Sequence, residues 1–296
     1  MFRRLYRQRR RFAVVTLLLT GGLLVSLAQG AVPNGTDLPL DNWITWVSVF
    51  LASLIVTFGL ILVTTYVLPA LRHALEVFTL SILAFPVISS IATAFGTDFG
   101  ANSWLFWILT FVALEHLIYG RYFDRLTFAL PERRVRFRTR AAPQTVWAAC
   151  APLPEFSARH FYPGTRFEPL EDGTVRAIYP LKGGQTYQVE LITPERIEAP
   201  HFFIVSFTPA EASAGSGGLS GTQQIEITHR TDGGSDVLIT EARDAAPLRR
   251  HMQFWFDDEL GDRADCMAAR IEGRHDWSMF KHQFPKPRAA GASVPT

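Results

Sequence analysis

The sequence predicts a chain in two parts. Residues 1–121 form a region of four transmembrane helices, and residues 133–275 form an α+β domain whose antiparallel strands meet one long C-terminal helix. Three observations predict this. Charge is nearly absent from the first part, which holds four apolar runs of bilayer-crossing length. After Arg125 the long apolar runs give way to two-residue alternation. The chain then ends on an amphipathic stripe of helical period.

The charge distribution carries the first point. Of 29 Lys and Arg and 27 Asp and Glu, residues 1–121 hold eight and five, leaving 21 basic and 22 acidic residues in the remainder. Six of those eight lie in the first eleven residues, and between Phe12 and Gly120 the only Lys or Arg is Arg72. A water-facing surface needs charge, so this stretch does not belong in water. A formal net charge of +2 and the even balance of the second part argue against a nucleic-acid partner. Cys150 and Cys266 are too few for a disulfide framework and read as small apolar residues in a reducing compartment.

The expected spans are Phe12–Ala28, Trp43–Leu68, Ala74–Phe95 and Ser103–Gly120, each of which must be helical because lipid offers the backbone no partners. The arginine-rich start, the Arg72–His73 loop and Arg121 with Arg125 mark one side as cytoplasmic. The cation-free loops Gln29–Asn42 and Gly96–Asn102 mark the other side. Trp43, Trp46, Trp104 and Trp107 form an outer aromatic belt, with Tyr66, Tyr119 and Tyr122 near the inner face. These signals describe a multi-pass protein of a bacterial inner (cytoplasmic) membrane, its N-terminus and C-terminal domain both cytoplasmic. The first run, ending Ser26-Leu27-Ala28, also fits a cleavable signal peptide; its length favours a retained helix.

Within the spans, Glu115 and His116 form the only adjacent ionisable pair. They are either a proton or ligand site facing the bundle or side chains reaching the inner interface. Pro86 should kink the third span, with Ser89 and Ser90 close enough to help satisfy the disturbed backbone.

Residues 122–132 read as a linker. Beyond it, Arg133–Arg138 alternates as a strand, Pro143–Cys150 is a short helix opened by proline, and Pro154–His160 is a second. Strands follow at Arg166–Leu170, Thr174–Leu181, Thr186–Thr193, His201–Phe207, Gln223–Arg230 and Asp236–Ala242, with glycine turns at 171–173, 182–184 and 232–234. The Gly- and Ser-rich stretch Ala210–Gly221 is a hairpin loop; it lacks the third glycine and following helix of a phosphate loop. One helix from about Ala246 to Gly273 carries Leu248, Met252, Trp255, Phe256, Leu260, Ala264, Met267, Ala268 and Ile271 at spacings of three and four. Its carboxylates at 257–259 fall on the polar, solvated side, and residues 276–296 are expected to form a disordered tail, rich in Pro, Ala and Gly from about Phe284. Bulky aromatics with few ionisable groups suit an apolar ligand between sheet and helix. The candidate ligand-binding residues are Tyr179, Tyr187, Phe203, Met252, Trp255 and Phe256.

Arg136-Phe137-Arg138-Thr139-Arg140-Ala141-Ala142-Pro143-Gln144-Thr145-Val146-Trp147-Ala148, a strand running into a proline-initiated helix with a Val-Trp pair, resembles the opening of the START-like (SRPBCC) superfamily. That superfamily includes polyketide cyclases and Bet v 1-like proteins. The resemblance covers residues 133–275 and implies a helix-grip fold, a curved sheet around a long helix, that holds lipids, quinones, sterols or polyketides. The four-helix region matches no part of it. His160, Tyr162 and Arg166, with Tyr187, are weak candidates for the acid–base groups that cyclases of this superfamily place in the cavity. No Gly-x-Ser-x-Gly, phosphate loop or His-Glu-x-x-His is present, and the histidines have no metal-ligand spacing, so no cofactor or metal is expected. The leading reading is a non-catalytic, membrane-tethered cytoplasmic module binding a lipid- or quinone-class molecule, its partners being the bilayer and that apolar ligand. A cyclase- or lyase-type enzyme on a hydrophobic substrate is the alternative. A structural or assembly subunit docking other membrane proteins is the third.

Overall fold

The computed structural model describes residues 2–28, 42–97, 103–120, 122, 124–181, 186–210 and 219–284. Most of the two expected outer loops, Arg121, the 182–184 turn, the centre of the 210–221 loop and the tail beyond Phe284 lie outside the described residues. In chain order the helices are α1 (Phe2–Arg7), α2 (Arg9–Ala28), α3 (Trp43–Leu62), α4 (Ala74–Ala94), α5 (Ser103–Tyr119), α6 (Pro143–Cys150), α7 (Leu248–Asp257) and α8 (Glu259–Ile271). The strands are β1 (Thr127–Phe128), β2 (Arg133–Thr139), β3 (Arg166–Pro169), β4 (Val175–Pro180), β5 (Tyr187–Glu198), β6 (Phe202–Pro209), β7 (Gly221–His229), β8 (Ser235–Arg243) and β9 (Ala246–Pro247). They form two compact units. A helical unit holds Phe2–Leu126 with Pro247–Asp257, and a sheet unit holds Thr127–Ala246 with the chain from Asp258 onward. The sequence placed residues 247–257 with the sheet, so this division differs from the contiguous 133–275 domain.

In the helical unit, Asn42 caps α3 by accepting the Ile44 amide at 2.9 Å, and α3 runs on through a π turn at Val63–Val67. The α2 and α3 helices are antiparallel. Arg4 donates to the Thr65 carbonyl, and Val15 packs in one cluster with Ile61 and Leu75. Against α4, Gly22 lies so near Ile82 that a Cβ would come within 2.9 Å of its side chain, which is why glycine stands there. The α5 helix returns along α4, with Phe78 edge-on to Trp107 at 5.6 Å and His73 beside Tyr119 at 5.8 Å.

Three helices, Arg9–Ala28, Trp43–Val67 and Ala74–Ala94, are long and apolar enough to cross a membrane. The expected fourth span is not supported. At 17 residues α5 measures about 26 Å against a hydrocarbon core of about 30 Å, and it ends where Gly120 packs its α-carbon against the His116 carbonyl.

The expected single C-terminal helix is also corrected. It breaks at Asp258, whose φ of 46° is the one positive value outside glycine among the described residues. The α7 half belongs to the helical unit. Arg249 grips Asp124 through both carboxylate oxygens at 2.6 and 2.8 Å, and Arg10 donates to the Trp255 carbonyl at 3.1 Å. Asp257 is not solvated: at 13% side-chain exposure it takes Arg11 at 2.9 Å and Arg72 at 3.1 Å. Arg11 in turn meets Glu76 at 2.5 Å.

The sheet unit is built on seven antiparallel strands in the order β2-β8-β7-β6-β5-β4-β3, with a register shift in β5 at Pro194/Arg196. The strand positions agree with those the alternation predicts except in β5, which runs on from Thr193 through the Pro194 irregularity to Glu198. Helix α8 brings Leu260, Ala264, Met267 and Ala268 into the core, and its alanines permit close approach to the sheet. Pro143 opens α6, which buries Val146 and Trp147 in the same core. The second short helix is reduced to a 3-10 turn at Pro154–Phe156. There the Ser157 hydroxyl bonds back to the Pro154 carbonyl at 2.9 Å and accepts the Phe167 amide at 3.1 Å, competing with helix extension. An antiparallel sheet closed by a C-terminal helix is consistent with the helix-grip arrangement.

Candidate functional site

The side of the sheet that meets α8 changes character along its length. On β8, period-two alternation puts Val237, Ile239 and Glu241 in one buried row. Register aligns Val237 and Ile239 with Phe137 and Val135 on one side and with Ile227 and Ile225 on the other. One step further, Glu241 faces Arg133 on β2 and Gln223 on β7. An apolar surface thus ends in a charged one.

Glu241 is the centre of that end. At 1% side-chain exposure it accepts Arg133 at 2.8 Å and Arg243 at 2.6 Å on one oxygen, and Arg263 of α8 on the other. Arg243 also lies 3.5 Å from Glu259 in the first turn of α8. Burial alone would raise the Glu241 carboxyl; Arg263, Arg243 and Arg133 more than reverse this and hold it down at about 2. Glu190 of β5, bonded by Gln188 at 2.7 Å, behaves oppositely. Its burial pushes its carboxyl above the usual range, although Arg243 and Arg263 act against the rise. The face therefore offers a fixed anion, guanidinium groups and a carboxyl inclined to hold its proton. Such groups can orient the polar end of a bound molecule.

The six candidate ligand residues are divided between the two units. Phe203 is a core residue, with the Trp147 ring edge-on at 5.5 Å. Tyr179 packs in an aromatic group with Tyr162 at 5.4 Å and Phe167 at 6.5 Å, and Tyr187 is half exposed. Met252, Trp255 and Phe256 lie on α7 in the helical unit. There the Arg10 and Arg11 guanidiniums stand over the Trp255 and Phe256 rings at 5.4 and 5.7 Å.

The weak catalytic candidates are likewise occupied. His160 sits among Phe161, Phe167 and Tyr179, accepts the Tyr162 amide on Nδ1 at 3.3 Å, and is pushed by burial down to about 3, a neutral ring. Tyr162 donates its hydroxyl to the Pro180 carbonyl at 3.0 Å, and burial raises it to about 12. Arg166 is exposed at the start of β3. Glu115 and His116 lie 3.4 Å apart on α5, with substantial exposure of both side chains. Among the described residues no group of three or more His, Cys, Asp or Glu is arranged for a metal.

Sequence reasoning missed the Glu241 group. A signal existed, since a carboxylate continues the apolar Val237–Ile239 row at period two. It also missed Arg11 with Glu76 and Asp257, for which no local spacing gives a sign.

No protein-family description and no curated protein matches the sequence. Solved structures similar to it include a conserved protein from Geobacillus kaustophilus (12% identity, TM-score 0.37, covering 48% of this chain and 93% of that one). A protein from Arthrobacter aurescens is 15% identical, with a TM-score of 0.38, over 53% of this chain and 97% of its own. Ara h 8.0201 is 14% identical, with a TM-score of 0.36, over 48% of this chain and 95% of its own. Similarity at this level carries no argument about function, and the fold described above stands on strand order and packing.

Proposed function

We propose that the sheet unit is a non-catalytic binding module for an amphipathic molecule of the lipid or quinone class, carried on a chain anchored in a membrane. The observation that carries the reading is the sheet face on which Val237 and Ile239 lead into Glu241 and its arginines. A polar head would meet Glu190, Gln188 and Arg243 at the charged end. Buried ion networks are seldom retained for stability alone, because apolar residues of similar volume are often as stabilising. The enzyme reading loses support because His160 Nδ1 and the Tyr162 hydroxyl are already engaged by backbone partners.

Membrane anchoring is supported by the three long apolar helices and by the outward exposure of Ile55, Phe58, Ile91 and Leu109. The arginine-rich start favours a cytoplasmic N-terminus. The ion pairs of Asp257 with Arg11 and Arg72 gather the start of α2, the approach to α4 and the end of α7, which favours the same side for all three.

Native mass spectrometry of the detergent-purified full-length protein, with extraction of what co-purifies, tests the reading. A stoichiometric lipid or quinone is expected, depleted in Glu190→Leu with Gln188→Leu. Wild-type protein that carries nothing, or a ligand held equally by that variant, overturns it and leaves the structural-subunit reading in front.

A further inference from the structure

The helical unit holds buried hydroxyls that the ligand reading does not use. Ser53 and Thr57 are 0% exposed and Thr16 3%, and the hydroxyls of these three and of Thr20 have no hydrogen-bond partner among the described residues. The same holds for Oε2 of Glu76, a residue 4% exposed. Thr64, Thr79, Thr93 and Thr110 by contrast bond back to carbonyls of their own helices, the ordinary solution for a hydroxyl on a helix.

Their placement is ordered. The antiparallel course of α2 and α3, with Arg4 on the Thr65 carbonyl and Val15 in one cluster with Ile61, sets Thr16 and Thr20 along the stretch of α3 that holds Ser53 and Thr57. On each helix the two hydroxyls are four residues, about 6 Å, apart on one face. Leu75 shares the Val15 cluster and Gly22 meets Ile82, which brings Glu76 level with Thr16. Buried polar atoms without protein partners are met by ordered water, and a water needs two to four polar neighbours. The four hydroxyls and Oε2 of Glu76 supply them.

We propose that the helical unit contains a water-filled polar well, running from Glu76 inward past Thr16 and Thr57 to Thr20 and Ser53, in which Glu76 is a proton acceptor. The charged and titratable groups around it are Arg11 from α2, Asp257 from α7, Arg72 and His73 before α4, and Tyr119 from α5. A hydronium on the water file forms an O–H bond at Glu76 Oε2 and leaves a neutral water; release is the reverse, and no other reactant is required. While Glu76 is protonated, Arg11 keeps Asp257 as its anion. The well stands apart from the ligand reading and holds whether or not the sheet binds anything.

The experiment uses full-length protein carrying Thr57→Cys or Val15→Cys, transferred into D₂O and followed by the infrared S–H band, with the parent's Cys150 and Cys266 bands subtracted. The Thr57→Cys thiol is expected to exchange on mixing while the Val15→Cys thiol, one residue from Thr16 in the apolar cluster, persists. Persistence of both means a dry interior and overturns the well. Loss of both means general opening and overturns it too. Counting protons taken up on acidification, Glu76→Gln is expected to bind one fewer than the parent, and equal uptake removes Glu76 as the acceptor. If Glu76→Gln does not fold, Thr16→Val with Thr57→Val, which spares the ion pair, must slow proton uptake several-fold; unchanged uptake overturns the proposal.

Discussion

Each unit of this chain buries a carboxylate against arginine, and the two do so differently. In the sheet unit three guanidiniums converge on Glu241, and Glu259 offsets part of the excess. In the helical unit two carboxylates, Glu76 and Asp257, share Arg11, and Arg72 completes an even balance. The first group is drawn from neighbouring strands and the helix lying on them, so it belongs to the sheet's own architecture. The second ties together residues 11, 72, 76 and 257, which nothing but the final packing brings close. A charge-rich cluster with an excess of cations is suited to meeting a further polar group. A balanced one is suited to holding helices in place.

The sharpest break of that contrast is Glu241→Leu, which leaves three guanidiniums facing one another without their shared anion. Removing one partner of a buried pair costs about 3–5 kcal/mol, so the sheet unit should lose most of its stability, read by urea unfolding of the full-length protein. Acid gives the same answer reversibly. The folded Glu241 carboxyl lies near 2 against an ordinary value of 4.5, so its stabilisation is fully present above pH 4.5 and lost as pH falls toward 2. The shift corresponds to roughly 3 kcal/mol. His160, lowered from 6.5 to about 3, contributes stability that is present above pH 6.5 and lost as pH falls through its folded value. A loss that begins below pH 6.5 and vanishes in His160→Phe belongs to the histidine; one that begins only below 4.5 belongs to Glu241. No acid loss in either window would mean that Glu241 titrates as an exposed carboxylate.

Asp257→Asn tests the other cluster and should be milder. Arg11 keeps Glu76, and the amide oxygen still accepts one bond, so the loss is that of charge-assisted hydrogen bonding, roughly 1.5–3 kcal/mol. The effect should appear as faster proteolysis around α7, with sheet-unit unfolding unchanged. An effect as large as that of Glu241→Leu would equate the two clusters and remove the comparison.

What the sequence made legible follows the same division. Strands were readable because period-two alternation is local: Val237, Ile239 and Glu241 share a row whatever the rest of the chain does. The apolar helices were readable by composition, although α5 falls short in length because its boundaries depend on Gly120 and on where the chain turns. The break in the C-terminal helix was not readable, since the apolar stripe from Leu248 to Ile271 runs through Asp258 without interruption. The expected ligand set is divided between the two units for that reason. Trp255 and Phe256 were assigned to the sheet by their stripe, whereas Arg10, Arg11 and Arg72 draw their helix to the other unit. A pairing between residue 11 and residue 257 leaves no trace in local spacing.

The smallest expected effect concerns that break. Asp258 holds φ 46° and ψ 50°, a left-handed conformation that Asp tolerates better than most residues because its short side chain can bond locally. Its carbonyl also accepts the Asp262 amide at 2.9 Å, so the residue that ends α7 starts α8. A β-branched side chain at that φ meets its own backbone, and Asp258→Val should destabilise the junction by roughly 1–2 kcal/mol. Asp258→Gly should be tolerated. If the valine variant is instead neutral and gains helicity by circular dichroism, α7 and α8 join as one helix at little cost. The division of the C-terminal helix between the two units would then be set by the ion pairs of Asp257 alone.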